Sequence, residues 1–396
     1  MNARPGEKNR TGAPTYQEQD FAKQESNLFN KLLFGLAPLT NEDMDRVLKS
    51  DDYFAAGVYA QGTRFLELLE QRYRMPVGVV EILCDYEQRN WVSSIKNRTA
   101  PGNVQSLRDQ LLLRLETYKR NREALQQLIS LFKIPTRSLF DVGSQFGFLL
   151  LAAAQEGFGK IAGAEINRGL AGFVDELKRY IEANYKIDYN YSFGDFANLE
   201  FEPRGFNLVT CVDVLEHTPD LPKTMENMQK ICSPGGMIYI YQGNGRSLTI
   251  ATSEPHYQLP CLSILPIELA VEVMTHLGNI TPKTRYLVKQ WPALPEISRY
   301  LTRDDTHFEV YNTDINIRNN LKYPENRQLG MYISKFQQTT EEKLLPRLTN
   351  FLKKEVRCYM AKYLEEIEKD KKTMKEIDFK IKYLMHSWNI ILRPAG

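Results

Sequence analysis

The sequence predicts an α/β protein built on a doubly wound, mostly parallel sheet, with a helical N-terminal region and a mixed, largely helical C-terminal insertion. Three observations predict it. Strand-like apolar runs alternate with helical patterns from Pro135 to about Gly245, the signature of strand–helix–strand units with a parallel sheet. The stretch Ser138 to Leu151, SLFDVGSQFGFLLL, reads as an apolar strand, a glycine-spaced turn and the start of an apolar helix. Finally, the strand ends at Asp141, Glu165, Asp195 and Asp213 each carry an acid, and in an open parallel sheet ligands sit beyond those ends.

The elements follow in order. Residues 1–25 are polar, contain Pro and Gly, and are expected to form a disordered tail. Residues 26–134 are expected to form a helical cap or dimerisation region: NEDMDRVLKS begins with Asn41 as a cap, and VQSLRDQLLLRLETYKRNREALQQLISLF spaces leucines at a helical interval with charges on the other face. The core, 135–245, holds strands at 138–143, 160–166, 189–195, 206–214 and 236–242, with helices at about 148–155, 171–184 and 223–232 and a Ser233-Pro-Gly-Gly turn before the fifth strand. Residues 246–385 form a substrate lid and helical insertion: a proline-bounded loop and helix, mixed sequence to about Gln338, then a long charged helix interrupted at Pro346. Residues 386–396, beginning HSWNIILRP, close the core with a last strand.

Composition narrows the class. Lys and Arg total 51 against 49 Asp and Glu, a formal net charge of +2, which lacks the basic excess of a dedicated nucleic-acid binder. Five scattered cysteines without a C-x-x-C suggest neither a disulfide framework nor a thiolate zinc site, and read as reduced thiols of a cytoplasmic protein. The N-terminus has no apolar leader, and the run Phe146 to Ala154 is far shorter than the ~20 residues that span a bilayer, so no membrane insertion is expected.

The glycine turn carries the first chemical signal. Gly143 and Gly147 let the backbone turn sharply and approach a ligand, while the following helix start offers free N–H groups. The dinucleotide fingerprint G-x-G-x-x-G is not met, because Gln145 stands two residues after Gly143. Glu165, closing the second strand, is placed to accept hydrogen bonds from both ribose hydroxyls of a nucleoside. Asp195 and Phe196 follow the third strand, where a carboxylate takes an adenine amino proton and an aromatic lies against the ring. Taken singly, Asp195 is equally well a helix N-cap and Glu165 an exposed turn acid.

Together DVGSQFG, AEIN, GDF and CVDVLEHTPD followed by SPGGMIYI resemble the class I S-adenosylmethionine-dependent methyltransferases over about Ser138 to Gln242. The resemblance implies a Rossmann-like sheet and S-adenosylmethionine as cofactor, with the turn facing its methionine part, the second-strand acid its ribose and the third-strand acid its adenine. Asp141, Gly143, Gln145, Gly147, Glu165, Asp195, Phe196 and Asp213 are the implied cofactor positions. Gln145 departs from the glycine many members have, so its side chain is expected to point away from the cofactor or to hydrogen-bond its carboxylate.

Methyl transfer to an alcohol benefits from a base, and His217, just past the fourth strand, is the catalytic candidate. Its alternative is a capping or core-satisfied imidazole. Asp213, Glu216 and His217 also form D-x-x-E-H, similar to the E-x-x-E-H that binds a divalent metal in ubiquinone-pathway O-methyltransferases and small-RNA 2′-O-methyltransferases. Glu254 and His256 follow the fifth strand and are expected to reach the same cleft, so a magnesium or manganese ion is carried behind the metal-free reading. The phrase EPHYQLPCLSILP resembles a segment of methyltransferases that act on sugars or glycan ends, and Tyr257, Tyr239 and Tyr241 are candidate surfaces for a sugar ring. The expected reaction is therefore O-methylation of a sugar or other polar small molecule. Two alternatives stand beside it: a metal-assisted RNA 2′-O-methyltransferase, and an inactive methyltransferase-like scaffold. The partner expected is a small-molecule or glycan acceptor rather than nucleic acid, with homo-oligomerisation through the helical regions.

Overall fold

In the computed structural model, residues 40–60, 63–96, 106–280, 288–301, 308–311 and 326–394 are described. The expected tail, 1–25, lies outside them. The chain divides into two compact units, one of residues 1–124 with 172–180, the other of 125–171 with 181–396.

Amphipathic spacing builds the first unit from α1 (Asn41–Lys49), α2 (Asp51–Ala60), α3 (Thr63–Tyr73), α4 (Val77–Lys96) and the greater part of α5 (Leu107–Phe132). The cap of α1 is Thr40, not Asn41: the Thr40 hydroxyl accepts from the Asp43 N–H at 3.1 Å and the Asp43 carboxylate accepts from the Thr40 N–H at 3.0 Å. The S/T-x-x-D spacing closes this reciprocal box one residue before the expected cap. Phe54 and Phe65 meet edge to face at 5.4 Å in the core. The buried Glu87 is paired with Arg114 at 3.3 Å, which limits the cost of a charge removed from water.

The second unit carries the sheet. Its strands are β1 (Ser138–Val142), β2 (Lys160–Glu165), β3 (Asp188–Phe193), β4 (Phe206–Val212), β5 (Cys232–Gly243), β6 (Phe308–Tyr311) and β7 (Ser387–Pro394), in the order β3-β2-β1-β4-β5-β7-β6. Strands β1 to β5 pair in parallel, whereas β7 runs antiparallel to β5 and β6. Helices α6 (Phe148–Gln155), α7 (Ala171–Asn184), whose residues 172–180 group with the first unit, and α8 (Leu221–Ile231) follow β1, β2 and β4. Residues Phe148 to Ala154 of α6 are all buried, which explains a helix apolar all round. Because the chain runs outward from β1 to β3 and then returns to place β4 on the other side of β1, the order reverses between β1 and β4. Ligands bind outside the strand ends at such a switch point.

Two elements differ from expectation. The Ser233–Gly236 turn is taken up inside β5 as a bulge: Phe206 pairs with Cys232 while Leu208 pairs with Met237, and Gly235 has φ 73°. Strand β6 was hidden in what read as mixed sequence.

Beyond β5 come α9 (Leu248–Thr252), α10 (Ile267–His276), α11 (Leu294–Leu301), α12 (Asn326–Thr339), α13 (Asn350–Thr373) and α14 (Glu376–Tyr383). The charged helix breaks at Pro346, where a π turn over Thr340–Leu344 meets a 3₁₀ turn over Leu345–Arg347, and again before α14. Its inner face packs with α10 in a second apolar core that includes Val273, Phe336, Leu352, Val356 and Tyr363. Polar groups fix this layer to the end of β5: Asn244 donates through Nδ2 to the carbonyls of Ile381 at 3.1 Å, Lys382 at 3.0 Å and Met385 at 2.8 Å. Arg246 pairs with Glu366, and Lys382 with Asp370 at 2.6 Å.

Candidate active site

A cavity of about 430 Å³ opens at the switch point, lined by the ends of β1 to β4 and the segments that follow them. Its wall brings together Gly143, Gln145, Glu165, Asp195, Phe196, Asp213 and His217. Along the sheet order their strands run β3, β2, β1, β4, so Asp195, Glu165, Gly143 and His217 succeed one another across the opening.

The turn after β1 owes its shape to left-handed backbone. Gly143 has φ 69°, and a Cβ there would fall 2.4 Å from Val214 Cγ2, across the switch point. Gln145 also adopts positive φ, 46°, a conformation that favours glycine. What holds it is its peptide: the N–H donates to Glu165 Oε2 at 2.9 Å, and the carbonyl accepts from the Tyr191 hydroxyl at 2.9 Å. Its side chain is exposed at the cavity edge.

Glu165 is buried rather than an exposed turn acid. Besides Gln145 it accepts from the Asn167 N–H at 2.7 Å through Oε1, so each oxygen takes one backbone donor and keeps a lone-pair direction for a ligand hydroxyl. Asp195 does cap the short turn after β3, accepting from Ala197 N at 3.1 Å and Asn198 Nδ2 at 2.8 Å. Phe196 is buried in an aromatic cluster, 5.6 Å from Phe140 and 5.0 Å from Phe201, and still lines the cavity.

Asp141 and Gly147 are not among the lining residues. Asp141 lies inside the sheet, where its Oδ1 accepts from Thr210 Oγ1 of β4 at 2.7 Å. Burial pushes its carboxyl up to about 7, against the hydrogen bond from Thr210. Gly147, φ 73°, supports the turn as the residue ahead of α6.

Past β4 the chain turns at Asp213, φ 52°, whose N–H donates to Tyr241 O at 2.9 Å. Glu216 is buried, and its Oε2 has no hydrogen-bond partner. His217 faces His256 with Nε2 to Nε2 at 3.2 Å. The Nδ1 of His256 bonds Glu254, which is fully buried and also accepts from the N–H groups of His256 at 3.0 Å and Tyr257 at 2.8 Å. Burial works against the charged form of His256, but Glu254, with Glu216 and Asp213 farther off, raises its pKa overall. Glu216, His217 and His256 present ligand atoms within 4.8 Å of one another; Asp213 is not in that trio. Tyr257 packs beside the second apolar core, 6.4 Å from the His256 ring. Tyr239 and Tyr241 are instead hydrogen-bonded to β7, at Asn389 (2.6 Å) and Ser387 (2.9 Å), because the antiparallel register puts all four side chains on one face of the sheet.

Sequence reasoning missed Ile166, Thr218 and Lys289 of the wall. Ile166 is 66% exposed, a bare apolar side chain beside Glu165, and its place directly after the acid that closes β2 was a usable signal. Lys289 comes from a segment with no motif: its N–H donates to Glu216 O at 2.7 Å, and Gln290 Nε2 donates to Thr218 O at 3.1 Å.

An acid-lined switch-point cavity behind a left-handed glycine turn, on a sheet of this order, is the architecture of the class I S-adenosylmethionine-dependent methyltransferases. The chain belongs to the methyltransferase-domain family, whose model matches residues 109–316. A ubiquinone biosynthesis O-methyltransferase of Coxiella burnetii is 28% identical over 103 residues, 26% of this chain and 42% of the relative. A sterol 24-C-methyltransferase of Clavispora lusitaniae is 32% identical over 69 residues, 17% of this chain and 18% of the relative. The chain thus spans under half the length of these curated relatives. Among solved structures, an S-adenosylmethionine-dependent methyltransferase from Clostridium acetobutylicum is 15% identical with a TM-score of 0.30, over 42% of this chain and 60% of that one. Among the described residues no helix is long and apolar enough to cross a membrane.

Proposed function

We propose that this methyltransferase acts on a hydroxyl of a small polar acceptor, a sugar or glycan end being the class that best suits the site. The observation that carries the reading is the corner past β4, where His217 on the cavity wall is backed by His256 and Glu216. Two imidazoles and a carboxylate beside the reacting end suit an acceptor that must lose a proton as it is methylated, which a hydroxyl must and an alkene carbon need not. The name of the ubiquinone-pathway relative, an O-methyltransferase, points the same way.

Three strand spacings of ~4.8 Å separate β3 from β4, enough for the cofactor to lie across the opening. In this reading Asp195 accepts from the adenine amino group beside Phe196. Glu165 accepts from the ribose hydroxyls while holding the turn through Gln145. The Gly143 turn receives the methionine part. Held there, the cofactor would supply an electrophilic methyl on a sulfonium for the acceptor oxygen, and the His217 corner would take the proton that the hydroxyl must lose. From the segment beyond β5, Lys289 stands on the wall and would face the acceptor. The buried, unpaired Cys84, Cys211, Cys232 and Cys261 suit a reducing, cytoplasmic setting.

The test is His217→Ala, assayed with a panel of sugar and other polar hydroxyl acceptors and by cofactor titration. Turnover should fall at least ~100-fold with cofactor affinity nearly intact. Full turnover would remove His217 from the reaction, and methyl found on nitrogen or carbon would overturn the oxygen assignment.

A further inference from the structure

We propose that Glu216, His217 and His256 form a binding site for one divalent transition-metal ion, with Glu254 as the outer carboxylate that orients His256. The inference rests on the reading of this corner as the reacting end and specifies what His217 does there.

Four observations carry it. Glu216 is 2% exposed, and its Oε2 has no partner, an expensive state for a buried carboxylate oxygen unless something positive meets it. The two Nε2 atoms, 3.2 Å apart, have the separation of adjacent ligands each ~2.1 Å from one ion. Glu254 engages Nδ1 of His256, which places the proton on Nδ1 and leaves Nε2 as a lone pair. This is the carboxylate–histidine arrangement that fixes the tautomer of metal-binding imidazoles. Lastly, ligand atoms of all three residues lie within 4.8 Å of one another, close to the span of donors around a single ion.

The donor set chooses the metal. Two imidazoles and one carboxylate favour manganese, iron, cobalt or zinc over magnesium, which takes oxygen ligands. It also departs from the D-x-x-E-H motif, since His256 from beyond β5 stands in the set and Asp213 does not. An ion held here beside the cavity would lower the pKa of an acceptor hydroxyl reaching an open position.

The test uses the full chain, stripped by chelator, titrated calorimetrically with manganese, zinc and magnesium chlorides, and with cobalt(II) as a spectroscopic probe. One manganese, zinc or cobalt ion per chain is expected, with magnesium far weaker. His256→Ala should lower manganese affinity at least ~100-fold, and Glu254→Gln ~10- to 100-fold, with S-adenosylmethionine affinity retained as evidence of folding. Glu216→Gln, nearly isosteric, serves if His256→Ala does not fold, and should lose at least ~10-fold. Failure of the wild-type chain to bind manganese, zinc and cobalt, or unchanged affinity in a folded variant, overturns the site. A chain that binds the ion but methylates no hydroxyl keeps the site and loses the oxygen reading. One that methylates hydroxyls without binding any ion does the reverse.

Discussion

Glu165 links the turn to the cavity, because one carboxylate holds the Gln145 and Asn167 peptides and lines the opening proposed for the cofactor. Glu165→Gln replaces one accepting oxygen with a donor that cannot meet a backbone N–H. Calorimetry should show S-adenosylmethionine affinity lowered ~10- to 100-fold, the cost of a lost charge-assisted pair. Unchanged affinity would contradict the ribose assignment. At Gly143 a methyl group meets two obstacles, a positive φ and Val214 at 2.4 Å, and the left-handed backbone alone costs ~1–2 kcal/mol. Gly143→Ala should therefore lower the midpoint of chemical denaturation and weaken cofactor binding, and a variant of wild-type stability would show that the turn is not strained. Asp141 gives a pH signature. Its carboxyl lies at about 7 in the fold and near 4 in the unfolded chain, so the native state binds the proton more tightly. The contribution is fully present below pH ~4 and is lost as pH rises to ~7, a change of up to about 4 kcal/mol. Asp141→Asn keeps an acceptor for Thr210 without titrating. Thermal melts from pH 4 to 8 should show the wild type losing stability relative to the variant; parallel profiles would refute the shift.

At the scale of elements, the end of β5 is where the sheet and the C-terminal helices are joined. Asn244 is fully buried and its amide serves three carbonyls around the end of α14. Asn244→Ala leaves those buried acceptors without that donor, so equilibrium denaturation should show a loss of ~1–3 kcal/mol; a neutral substitution would mean that water replaces the amide. The five parallel strands and the helices after β1, β2 and β4 were legible because their apolar periodicity and turn residues agree with the final structure. What escaped had weaker local signals. Strand β6 is four residues long and its register depends on β7. The bulge in β5 depends on pairing with β4 that composition does not display. Thr40 was passed over for Asn41 because both residue types cap helices, and only the reciprocal bond with Asp43 decides.

For the whole molecule, the candidate site was legible as far as four strand ends reach, since Gly143, Glu165, Asp195 and His217 are placed by the sheet order alone. Asp141 misled because an acid at a strand end can face the neighbouring strand, as it does toward Thr210. Lys289 and the contacts of Gln290 lay beyond reach: they depend on how a segment more than seventy residues from Glu216 returns to the sheet. The central claim is that the cavity at the switch point between β1 and β4 holds S-adenosylmethionine across Asp195, Glu165 and the Gly143 turn, with its methyl toward His217. The most direct measurement is a crystal structure of the full chain with S-adenosylhomocysteine. The account predicts the ribose hydroxyls on Glu165, the adenine by Asp195 and Phe196, and the sulfur opening toward His217. A product bound elsewhere, or with its sulfur directed away from His217, would contradict it.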